Sequence, residues 1–65
     1  MADIVNEDNQ RYDIQIDSRN TWLDAGARMS GEAGHGATIQ IVGGPGLRVS
    51  GSGDVVIKNG AIGQR

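Results

Sequence analysis

Thr38-Ile-Gln-Ile-Val42, Leu47-Arg-Val-Ser50 and Asp54-Val-Val-Ile-Lys58 are separated by Gly43-Gly-Pro-Gly46 and Gly51-Ser-Gly53, and this stretch decides the fold. Within the runs, Ile39 and Ile41 share a face, as do Leu47 and Val49, and Val55 and Ile57. Thr38, Gln40, Arg48, Ser50 and Lys58 take the other face, where Val42 and Val56 are the apolar exceptions. A period of two bounded by glycine turns predicts a meander of antiparallel strands. Asn59-Gly60 is a hairpin signal, because a type I′ turn needs positive φ at both central residues. It folds Ala61-Ile62 back onto Val56-Ile57. Pro45 falls in a turn, where its missing N–H costs nothing. The runs start eight residues apart, at Ile39, Leu47 and Val55. That spacing suits a tight meander, and equally the rungs of a β-solenoid or an intertwined trimeric spike.

Working outward, Tyr12-Asp-Ile-Gln-Ile-Asp17 alternates cleanly, with Tyr12, Ile14 and Ile16 inward and Asp13, Gln15 and Asp17 outward. That is a half-buried strand. Ser18-Arg-Asn20 reads as a turn, since Ser and Asn bond their own backbone locally. Thr21-Trp-Leu opens another strand or a short helical turn. Asp24–Ser30 fits either, with Gly26 arguing against a helix. Gly31-Glu-Ala-Gly-His-Gly36 reads as a mobile loop. Residues 1–11 are polar after Ile4-Val5 and read as an N-terminal arm. Residues 12–65 are then a single small β domain. The expected class is all-β: four to six short strands in a small antiparallel meander or barrel, or intertwined in an oligomer.

Sixty-five residues make a marginal core, since a chain of this size buries only about 60% of its unfolded surface. Such scaffolds usually need disulfides, a metal or oligomerisation. Cysteine is absent and His35 is the single histidine, so neither a disulfide nor an ordinary zinc site is expected. No Asp-x-Asp-x-Asp-Gly calcium loop is present. Self-association or docking onto a larger assembly is the staple left. No cofactor is expected. Residues 1–25 carry six acids against Arg11 and Arg19, giving −4; residues 26–65 carry Glu32 and Asp54 against Arg28, Arg48, Lys58 and Arg65, giving +2. The two parts sum to the net −2 of the chain. Such asymmetry favours attraction within or between copies, or simply solubility. No run is long enough for a transmembrane helix, and Met1-Ala-Asp-Ile-Val-Asn6 lacks the features of a signal peptide. The expectation is a soluble protein not secreted by its own signal, with no membrane partner.

Motifs that carry chemistry are weak. Gly31-x-x-Gly34-x-Gly36 is the nearest approach to a phosphate cradle, but no helix N-terminus follows it. His35 with Ser30 or Ser52 lacks an orienting acid and an oxyanion site. Asp13 and Asp17 share a strand face, but a solvated polar face explains them better than glycosidase chemistry. The chain is therefore not expected to be an enzyme. A small β-barrel that stacks nucleic-acid bases wants aromatics in a basic groove, and this acidic chain has only Tyr12 and Trp22. Nucleic acid is not an expected partner. The interface candidates are Trp22, because tryptophan is enriched at binding hot spots, Val42 and Val56 on the less polar face, and Tyr12.

A short cysteine-free chain, a polar N-terminal arm and glycine-cut strands from Gly36 onward resemble the small all-β virion proteins of bacteriophages, of the decoration or tail-spike and fibre type. The resemblance covers about two-thirds of the chain and rests on style. It implies a symmetric homo-oligomer, with a trimer favoured, that contacts other structural proteins and stabilises a larger assembly in the virion. If the chain is not viral, a cytoplasmic location is expected. The alternatives are a small inhibitor or adaptor that binds a host protein through the acidic segment Asn6–Asp17, and a nucleic-acid-binding small barrel.

Overall fold

The computed structural model describes residues 2–65, and among these the chain forms eight strands and no helix. They are β1 (Ala2–Asn6), β2 (Tyr12–Ile16), β3 (Arg19–Leu23), β4 (Arg28–Ala33), β5 (Thr38–Ile41), β6 (Gly46–Arg48), β7 (Val55–Lys58) and β8 (Ala61–Gln64). The first sheet has the order β4-β1-β7-β8 and the second β3-β2-β5-β6. Ile4, Val55 and Ile57 from the first sheet meet Ile14, Ile16, Ile39 and Ile41 from the second in one core. Two sheets packed over a shared aliphatic layer make a β-sandwich. The all-β class is as expected, with eight strands in place of four to six.

Most inward positions follow the alternation. Tyr12, Ile14, Ile16, Ile39, Ile41, Val49, Val55 and Ile57 are buried, and Leu47 is partly so. Asn59 and Gly60 have φ of 55° and 74°, and Lys58 pairs with Ala61 across them. These are the left-handed values that a type I′ hairpin requires.

Four expectations change. The arm expected over residues 1–11 begins outside the described residues at Met1, and its Ala2–Asn6 part is not an arm: β1 lies between β4, antiparallel, and β7, parallel. Its inward row is Ala2, Ile4 and Asn6, all buried. A polar residue at an inward position hid that alternation. The glycine-cut segment is not one meander either. β5 and β6 form a hairpin in the second sheet, whereas β7 and β8 form one in the first. The chain crosses between layers at Ser50–Asp54, where a Cβ on Gly53 would collide with the Arg65 carbonyl oxygen. Gly31–Ala33 are part of β4, and only residues 34–37 turn, closed by Ala37 N donating to Gly34 O (2.9 Å). Gly31, at φ 65°, lies in a bulge where Ala2 pairs with Ala33 but Ile4 with Met29. Finally, the turn expected at Ser18–Asn20 is Asp17-Ser18, with Asp17 at φ 55°, and Arg19 and Asn20 are already in β3. Aspartate tolerates that conformation better than most residues.

Candidate functional site

The strand pairing builds a row across the outer face of the second sheet. Trp22 on β3 stands opposite Asp13 on β2, and Val42 N donates to Asp13 O (2.9 Å). Trp22, Asp13 and Val42 therefore lie side by side, although twenty positions separate the two apolar members. Trp22 is 54% exposed and Val42 60% exposed, and they are the large exposed hydrophobics among the described residues. The Arg11 guanidinium sits 5.1 Å from the Trp22 ring centroid, within cation–π range, and 3.6 Å from the Asp13 carboxylate. An open groove of about 450 Å³ runs beside them, lined by Asp13, Asn20, Thr21, Trp22 and Val42. In the next row, Gln15 Nε2 donates to Asn20 Oδ1 (3.2 Å).

Of the four interface candidates, the fold brings Trp22 and Val42 together and separates the others. Val56 is on the outer face of the first sheet, partly buried in a shallow groove of about 380 Å³ with Lys58, Ala61 and Gly63. Val42 and Val56 share strand parity, but the crossover at Ser50–Asp54 sends them to opposite surfaces. Tyr12 is buried, with only its hydroxyl reaching a polar partner. It belongs to the core rather than to a surface.

The first sheet presents a different outer face. Asp3 pairs with Arg28 (2.6 Å), Arg28 with Asp54 (3.4 Å), and Arg65 with both Asp54 (3.8 Å) and Glu7. Asp3 Oδ1 also accepts from Gly31 N at the bulge (2.9 Å). That backbone bond, and then Arg28, hold the Asp3 carboxyl below the usual range, while the bond to Asp3 raises Arg28. Val5 is buried on this side.

A third cluster closes one end of the sandwich. Tyr12 donates its hydroxyl to Asp8 Oδ2 (2.5 Å), which also accepts from Asn59 N (3.1 Å), and Gly60 N donates to the Tyr12 oxygen (3.0 Å). The Tyr12 bond is the largest cause that lowers the Asp8 pKa, followed by backbone N–H donors. Beside it, Asn6 Nδ2 bonds the carbonyls of Gln10 (2.8 Å), Leu23 and Asp24 (both 3.1 Å), and its Oδ1 accepts from Asp8 N (2.9 Å). Among the described residues no buried side-chain polar atom lacks a partner. His35 Nδ1 accepts from Gly51 N (3.1 Å), so it ties the 34–37 turn to the crossover rather than addressing a serine hydroxyl.

Sequence reasoning flagged Trp22 and Val42 singly. It missed their adjacency, the Arg11 stack and the role of Asp8. The apolar break in parity at Val42 was the one local signal. No family model matches the chain, and neither a curated protein nor a solved structure matches it.

Proposed function

We propose that the protein is a structural, non-catalytic component of a larger protein assembly, which associates with itself and with other structural proteins. The observation that carries this reading is the Trp22–Val42 row. Its two large apolar side chains are exposed on one sheet face beside a groove, with Arg11 over the Trp22 ring. Tryptophan and arginine together are what interface hot spots are enriched in, and a small scaffold without covalent staples gains most from a partner. The finer identity we propose is a virion component of the decoration, spike or fibre kind, and it rests on the resemblance of the sequence to such proteins.

The acidic-face alternative draws less support. Within Asn6–Asp17, Glu7 is engaged by Arg65, Asp8 by the Tyr12 hydroxyl, Asp13 by Arg11 and Asp17 by the Thr38 N–H. They present little unpaired charge to a host protein.

The test is self-association read by native mass, with unfolding as a second readout. The wild type should show mass above the 6.8 kDa protomer and an unfolding midpoint that rises with concentration, by mass action. Trp22→Ala should lose both and keep its circular dichroism. A protein that stays a monomer at every concentration, with a constant midpoint, would overturn the reading.

A further inference from the structure

The outer strands of the two sheets are not equally protected. β4 is bulged at Gly31 and carries Arg28 and Glu32. β6 is three residues long and follows Pro45. At β8, the Gln64 side chain bonds Ser50 N, Ser50 O and Gly53 O, so the crossover loop lies against that edge. Bulges, shortness, proline, charge and covering loops are the devices that keep a sheet edge from pairing with another chain. β3 has none of these except one charge, Arg19 at its first position, and that side chain is turned to Glu32 of β4 (3.3 Å). β3 is regular over Arg19–Leu23, in unbroken register with β2.

Which of its backbone groups are free follows from the ladder. Val42 N donates to Asp13 O and Asp17 N to Thr38 O, so Asp13 and Asp17 turn their backbone toward β5. Antiparallel strands alternate, so Tyr12, Ile14 and Ile16 bond the other neighbour, through Leu23, Thr21 and Arg19. The N–H and C=O of Asn20 and Trp22 are left pointing away from the sheet. The Asn6 side chain holds the Leu23 and Asp24 carbonyls, so the end of this edge is already ordered.

We propose that β3 pairs antiparallel with β3 of a second copy of this chain, with Thr21 on the two-fold axis. This rests on the self-association reading above and specifies its geometry. In that register Asn20 of each copy faces Trp22 of the other, and all four free backbone groups of each strand are bonded. The edge is self-complementary in charge. Thr21, Asn20 and Trp22 are uncharged, and antiparallel pairing sets the Arg19 end of one strand beside the Asp24 end of the other. Parallel pairing would set like ends together. The two second sheets become one continuous eight-stranded sheet, and each Trp22 moves from its rim to its interior. Five residues a side is a short contact, so the dimer is weak and concentration-dependent.

The experiment follows amide hydrogen exchange, native mass and the emission of the single tryptophan across a concentration series. Asn20 and Trp22 amides, open in the monomer, should gain protection as a dimeric mass and a blue shift appear. Asn20→Pro removes an N–H that the fold itself does not use, at an edge position where proline is tolerated. It should weaken the dimer about 30-fold, by loss of two symmetry-related hydrogen bonds, with circular dichroism unchanged. If Trp22→Ala abolishes association while Asn20→Pro leaves it intact and the two amides stay open, the edge pairing is overturned and the outer-face reading stands. A trimeric mass also overturns it, because this pairing closes at two copies. A monomer at all concentrations overturns both. Should Asn20→Pro fail to fold, the amide protection in the wild type decides.

Discussion

The two sheets reach the same four-stranded size with different shares of local pairing, the second joining two hairpins through one distant pair, Ile14 with Ile41 in β2–β5. In the second sheet, β2 and β3 are joined by the two-residue Asp17-Ser18 turn and β5 and β6 by a short glycine-proline turn. The first sheet has one local hairpin, β7–β8, and otherwise recruits strands from across the chain: Ile4 faces Val55 in the parallel β1–β7 pair, and Val5 faces Arg28 in β4. Their outer faces differ in the same sense. The first is covered by ion pairs between residues distant in sequence, whereas the second leaves Trp22 and Val42 in water. Long-range closure costs loop entropy before it is rewarded, so the first sheet depends on β1 and on the contacts that hold its ends. The second has surface to spare for a partner.

The sharpest way to break that comparison is to remove β1. Deleting residues 2–6 should abolish cooperative unfolding in circular dichroism, because β4 and β7 lose their shared neighbour. A truncated chain with a native spectrum would mean the first sheet does not need its central strand. Within β1, Ile4→Ala should cost ~2–5 kcal/mol in denaturant unfolding, as a fully buried aliphatic truncation does. Val42→Ala on the exposed face of the second sheet should change stability by under about 0.5 kcal/mol. Equal losses for the two would erase the distinction between a packed core and a free face.

Asn6→Leu probes the long-range ties at one end of the sandwich. It strips the Gln10, Leu23 and Asp24 carbonyls of their donor and should cost about 1–3 kcal/mol, with the Leu23–Asp24 end of β3 exchanging amide hydrogens faster. Undisturbed exchange there would show that Asn6 does not order that edge. A smaller effect is expected at the local hairpin. Gly60→Val forces a β-branched residue to φ near 74° and should cost ~1–2 kcal/mol. Gly63→Val, where a Cβ meets nothing within 4 Å and φ is not positive, should be near neutral. The smallest effect is that of acid. The folded pKa of Asp8 is depressed, so its contribution is present above about pH 4, the unfolded value, and is lost as pH falls through the folded value. The unfolding midpoint should drop over that range, and Asp8→Asn should make the drop shallower, with Asp3 supplying the rest in the same sense. An unchanged pH profile for Asp8→Asn would remove the Tyr12–Asp8 contact from the stability of that end.

Sequence alone determined the strands whose alternation is intact and whose turns are local. Tyr12–Ile16, Thr38–Ile41, Val55–Lys58 and the Asn59-Gly60 hairpin were legible because side-chain period and positive φ are properties of neighbouring residues. The inward row of aliphatics followed from the same parity. Tertiary structure alone decided which strands share a sheet. Nothing near Ile4 announces Val55, and Asn6 breaks the apolar row that would have marked β1, yet burial with four bonded partners makes that polar residue fit. The candidate site has the same history. Trp22 and Val42 were each conspicuous, but only the ladder through Asp13 makes them neighbours, and only the crossover at Gly53 takes Val56 to the other face. Register and layer assignment are set by hydrogen bonds and packing between distant segments, which local periodicity does not encode.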